Sequence, residues 1–148
     1  MFKHILIPID GSAFSERAID TGVRFAKSID ARITGFIAEP KFRLPTQREV
    51  LDRTAALSTE EHSQRTRQHA EQVLARIAER ARAEAVPFAS DYVENNDPVD
   101  AIASAAERHQ CDLILMASHS RRGLDKLLHG NAAEGVLSHT RVPVLVLH

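Results

Sequence analysis

The chain has 148 residues, 43% of them hydrophobic and 26% charged, which suits one folded globular domain and argues against a disordered chain. A formal net charge of −1 supplies no field for nucleic acid or an anionic membrane, and with no Trp and one Tyr there is no stacking platform for single strands. No apolar run approaches the roughly 20 residues needed to span a bilayer. Met1-Phe-Lys-His is unlike a signal peptide, and the single Cys111 excludes an intramolecular disulfide, so cytoplasm is the expected compartment.

In chain order, Lys3–Ile9 reads as a buried strand closed by Pro8, which cannot donate to a ladder, and by Asp10-Gly-Ser12. Ser12 is an N-cap candidate for a helix to about Ser28, with Ala18, Gly22, Phe25, Ala26 and Ile29 on one face. Ala31–Ala38 is a second strand, ended by Glu39-Pro40. Lys41–Pro45 reads as loop, and Thr46 with Glu49 has capping-box spacing for a short helix over 47–56. Ser58 with Glu61 repeats that spacing before a long helix whose apolar stripe is Ala70, Val73, Leu74, Ile77 and Ala81; its outer face reads as solvated surface. Val86-Pro87 ends it. Phe88–Val93 is a shorter, more polar third strand. Asp97-Pro98 marks the next helix start as N-cap and N1 proline, with Ile102, Ala105 and Ala106 facing inward and an end near His109. Cys111–Ala117 is the fourth strand, Asn131–Thr140 a helix, and Val142–Leu147 the fifth strand.

This alternation predicts an α/β fold, an open parallel sheet covered by helices on both faces, as one domain over 1–148. Pro143 in strand five points to a sheet edge, and a bare apolar edge is sticky, so strand five is expected to pair with a second copy of itself.

The stretch 112–132 carries the chemistry. An apolar strand runs into a small-residue loop holding Arg121, Arg122 and Lys126, and then into a helix start at Asn131. Strand, loop and helix N-terminus together form the general geometry of a phosphate cradle, because backbone N–H groups and the helix dipole both face the anion. Asp10 closes strand one with a hydrogen-bond acceptor for a base amine or ribose hydroxyl; its plainer role is as a turn residue satisfied by its own backbone. In parallel sheets, ligands sit beyond the carboxyl ends of strands where the strand order reverses. If strands one and four are neighbours, Asp10 and the basic loop frame one crevice.

Ile5-Leu-Ile-Pro-Ile-Asp-Gly-Ser12, Asp97-Pro98, Asp112-Leu-Ile-Leu-Met-Ala-Ser-His119, Arg121-Arg-Gly-Leu124, Leu127-Leu-His-Gly130 and Val142-Pro-Val-Leu-Val146 stand in an order that resembles the universal stress protein family over the full length. The resemblance implies a Rossmann-like, five-stranded parallel sheet of order 3-2-1-4-5 and a stress-response regulatory module. It also implies homodimers through strand five and, as in many members, bound ATP, with any Mg²⁺ arriving on the phosphates. The family's nucleotide motif (Gly, two residues, Gly, nine residues, Gly, Ser or Thr) falls on Ala117, Ser120, Gly130 and Asn131, so only Gly130 is strictly kept. The remaining positions implied for the nucleotide are Pro8, Ile9, Asp10, Ile37 as adenine wall, Met116, His119, Arg121, Arg122 and Ala132.

The rival readings are a dimer that binds no nucleotide and acts through protein–protein contacts, an enzyme with at most weak ATP hydrolysis, and a phosphoacceptor receiver domain. The last lacks the paired acids and the Lys after strand five. No catalytic residue is assigned, and the protein partner is left unnamed. Eight histidines include His119, His129 and His139 at intervals of ten, but no helical chelate spacing, so no protein-ligated metal is expected. Cys111, with no base to activate it, reads as a small core residue.

Overall fold

A computed structural model describes residues 1–9, 13–44, 46–48, 59–117 and 132–147. Its elements are β1 (His4–Pro8), α1 (Ala13–Ser28), β2 (Arg32–Glu39), α2 (Thr59–Ala83), β3 (Phe88–Glu94), α3 (Pro98–Arg108), β4 (Leu113–Ala117), α4 (Ala132–His139) and β5 (Val144–Leu147). The five strands form one parallel sheet of order β3-β2-β1-β4-β5, as the family resemblance implies.

The two faces of the sheet bury separate apolar layers. Alternation along β1 sends Ile5, Ile7 and Ile9 to one side, where they meet Ile19 and Val23 of α1 and Ala70, Leu74 and Ile77 of α2. It sends Leu6 to the other, with Phe36, Ile114 and Val136 under the alanine-rich face of α3. Ile5, Leu6, Ile7, Ile114 and Leu115 are wholly buried, which is why these strands read as unbroken apolar runs. The expected α2 stripe is buried in full, with Thr66 added one turn earlier. On α1 the inward stripe also takes Ile19 and Val23, which the sequence pattern had passed over.

Pro143 stands just before β5 rather than inside it. There its carbonyl still accepts the Ile114 amide at 2.9 Å, and its missing N–H costs the ladder nothing. β5 is nonetheless an edge. Of the short helix expected over 47–56, Gln47 and Arg48 are helical and the remainder lies outside the described residues, as do the expected caps Ser12 and Ser58.

At the amino end of the sheet, three helix-to-strand turns repeat one construction. Asp30, Ala85 and Gln110 take left-handed φ values of 54°, 57° and 54°. The residue after each donates back to the helix: Ala31 to Ala26 at 2.9 Å, Val86 to Ala81 at 2.8 Å, and Cys111 to Ala106 at 2.8 Å. The left-handed residues themselves bond Lys27, Arg82 and Glu107, so each turn is a complete Schellman cap with no glycine at the position that favours one. The following residue is buried each time.

Candidate functional site

β1 and β4 are hydrogen-bonded neighbours. Chain connections leave toward β2 from one and toward β5 from the other, so the strand order reverses between them and their carboxyl ends border a crevice. Pro8 and Ile9 stand at the carboxyl end of β1, and Met116 and Ala117 at that of β4. Ile9 is held there by its amide, which donates to the Phe36 carbonyl of β2 at 2.9 Å.

Ile37 and Ile9 belong to the layer under α1 and α2, whereas Met116 belongs to the layer under α3 and α4. Ile37, expected as an adenine wall, is only 2% exposed and packs in the core. Ala117 pairs with Leu147 of β5. α4 begins at Ala132 with Glu134 in its first turn. Asp10, His119, Ser120, Arg121, Arg122, Gly130 and Asn131 lie outside the described residues.

Two supports for this end of the sheet escaped the sequence reading. The first is Gly135 in the middle of α4. A Cβ there would stand 2.6 Å from Val99 Cγ2, so glycine lets α4 approach α3 this closely without displacing Val99. α3 is itself fixed by its cap: Asp97 Oδ1 accepts the amides of Val99 at 3.0 Å and Asp100 at 3.1 Å. A glycine inside a helix was the available signal.

The second support is a clamp at the end of β2. Glu39 is buried, and its carboxylate meets His69 Nδ1 of α2 at 2.5 Å. His62 of the same helix bonds the Pro40 carbonyl at 3.0 Å and meets the Phe42 ring edge-on at 5.6 Å between centroids. The Asn95 amide donates to the Glu39 carbonyl at 2.8 Å. This part of α2 therefore docks through its histidines instead of forming the purely solvated face expected of it.

Cys111 is 6% exposed, and burial pushes its thiol up to about 11, which matches its expected role as a small core residue. No group of three His, Cys, Asp or Glu residues capable of holding a metal occurs among the described residues. No helix among them is long and apolar enough to cross a membrane.

The universal stress protein family model matches residues 1–148. The chain belongs to that family. It is 28% identical over 150 residues to universal stress protein MJ0531 of Methanocaldococcus jannaschii, covering 99% of this chain and 82% of that protein. Among solved structures, a universal stress protein in complex with cAMP superposes with a TM-score of 0.70 at 20% identity, covering 99% of this chain and 97% of the other. The universal stress protein from Archaeoglobus fulgidus in complex with dAMP gives 0.66 at 14% identity, covering 99% and 98%. These two likenesses establish the shared universal stress protein fold.

Proposed function

We propose that residues 1–148 act as a single cytoplasmic regulatory domain of the stress response that binds an adenine nucleotide, ATP with Mg²⁺ on its phosphates, at the carboxyl ends of β1 and β4. The observation that carries this reading is the adjacency of those two strands at the point where the sheet order reverses. The cAMP and dAMP held by family members of the same fold support an adenine nucleotide as the ligand class. Pro8, Ile9, Asp10 and Ile37 take the adenine and ribose side. Met116, Ala117, His119, Ser120, Arg121, Arg122, Gly130, Asn131 and Ala132 take the phosphate side. The ligand-bound protein then acts on a protein partner as a homodimer paired through Val142–Leu147, where Leu145 of β5 and Leu137 of α4 are exposed apolar side chains.

Three motif positions weaken the cradle. Ala117 adds a methyl, Ser120 adds a side chain where glycine lets the backbone reach phosphate, and Asn131 replaces a hydroxyl. Restoring two of them, with Ser120→Gly and Asn131→Ser, returns one hydrogen bond to a charged group, worth roughly 1.5–3 kcal/mol. Isothermal calorimetry with ATP and Mg²⁺ should therefore show binding tightened about tenfold or more. Gly130→Val should abolish binding without changing the oligomeric state. If neither the starting chain nor the restored variant binds, the crevice is not a nucleotide site. The exposed Leu137 and Leu145 then favour the second reading, a dimer that works through protein contacts alone.

A further inference from the structure

His4 opens β1 at the end of the sheet opposite the crevice, and it is 7% exposed. Its Nε2 lies 2.7 Å from Thr34 Oγ1 on β2. Its Nδ1 is fully buried without a hydrogen-bond partner. The Gln110 backbone lies close enough to favour a charge on the ring weakly, the least of the influences on it, but it closes no well-formed hydrogen bond with Nδ1. Gln110 is the left-handed residue of the α3–β4 turn, and Cys111 follows it into the core.

The charged surroundings come from each packed element. Arg32 of β2 and His109 at the end of α3 oppose a charge on His4, whereas Asp112, on the approach to β4, favours one. His109 is tied 2.7 Å from Asp91 of β3, which also takes Arg108. The Asp112 carboxylate is already occupied by the backbone amides of Lys3 at 2.8 Å and His4 at 2.9 Å. It supports the strand from below rather than receiving the ring.

We infer that His4 is an acid-operated latch: a second proton on its ring, for which the closed fold offers no well-formed acceptor, opens the Gln110–Asp112 turn and uncovers the Cys111 thiol. The neutral ring needs one good partner and has it in Thr34. The doubly protonated ring is a donor at both nitrogens, and a buried donor left unmet costs far more than an exposed one. The cheapest relief is at the turn. Gln110 already sits in a backbone region unfavourable to a residue with a Cβ. Behind it lies an open surface cavity of about 400 Å³, lined by Lys3, His4, Arg32, Gln110 and Asp112, from which water reaches the ring once the turn opens.

The direction follows from linkage. Burial, and next the charge of Arg32, push the His4 ring below its usual value of 6.5 in the closed fold. In the open turn the ring is solvated and returns toward that value. Opening therefore becomes easier as pH falls through about 6.5, by at most tenfold per pH unit, and levels off once pH passes below the closed-state value.

Cys111 is the sole thiol of the chain and so reports the opening directly. Its labelling by 4,4′-dithiodipyridine, which reacts in acid as well as at neutral pH, is followed from pH 7.5 to pH 5 and divided by the rate for a small thiol standard. The expected result is a rise in the corrected rate as pH falls, steepest below about 6.5, never more than tenfold per pH unit, and bending near the His4 midpoint read from its ring proton by NMR. In His4→Gln, whose side chain cannot take up a proton, the corrected rate should be flat. The NMR comparison needs no substitution and decides the matter if that variant does not fold. A corrected rate independent of pH in the wild type overturns the latch. So does an equal rise in His4→Gln, or a rise that merely tracks global unfolding by urea at each pH.

Discussion

Ala85→Gly should stabilise the protein, although the same exchange one helix turn or more upstream should destabilise it. Ala85 occupies the left-handed position of the α2–β3 cap at φ 57°, with its side chain exposed. An L-residue held there is strained by roughly 1–2 kcal/mol, because Cβ crowds the following carbonyl. Glycine removes that strain but gains conformational freedom in the unfolded chain, which returns about 0.4–1 kcal/mol to the unfolded side. The net gain is about 0.5–1 kcal/mol, since no packed contact of an exposed methyl is lost. Ala75 is exposed in the middle of α2, where glycine has no strain to relieve and should cost about 1 kcal/mol. Urea denaturation of the three proteins reads the sign directly, as a higher midpoint for Ala85→Gly and a lower one for Ala75→Gly at unchanged slope. If both variants lose stability equally, the left-handed strain is not there and the account of the three caps fails.

Leu145→Asp should give monomers or insoluble protein in sedimentation, because Leu145 is the exposed apolar side chain of the β5 edge, whereas Val144 packs against the core; a dimer that persists unchanged would locate the interface elsewhere. Asp97→Ala deletes the acceptor for two backbone amides at the start of α3 and should cost about 1 kcal/mol in the same urea assay, with Asp97→Ser recovering most of it. Acid stability should depend on Asp112. Burial works against its charge, but the His4 and Lys3 amides outweigh it and hold the carboxyl below 3.8. Its contribution is thus complete above that value and fades as pH falls through the lower folded-state value, so Asp112→Asn should show a shallower loss of urea midpoint between pH 4 and 2. Asp91 behaves likewise: burial opposes its charge, and hydrogen bonds from His109 and Arg108 prevail.

Hydrophobic periodicity by itself determined which segments are strands and which are helices. Runs such as Ile5-Leu-Ile and Leu113-Ile-Leu are apolar at every position because both faces of the central strands are covered, and that requirement is written locally. The Asp97-Pro98 cap and the α2 stripe were legible for the same reason, since each rests on neighbours within a turn or two of chain. The strand–loop–helix pattern of 112–132 suggested a cradle locally, but its partner across the crevice was legible only through the family resemblance, because no local pattern states that β1 lies beside β4. That adjacency joins residues more than a hundred positions apart and arises from packing two apolar layers on one sheet. The three helix ends were hidden for a different reason. Asp30, Ala85 and Gln110 stand where sequence logic looks for glycine, and tertiary burial of Ala31, Val86 and Cys111 holds each strained residue in place. The Glu39–His69 clamp and the His4–Thr34 pair are likewise tertiary in origin. In each, the partners lie thirty positions apart: His69, on a helix face that reads as solvated surface, becomes a bridging group, and His4, within a strand read as buried, finds its partner only once β2 is in place.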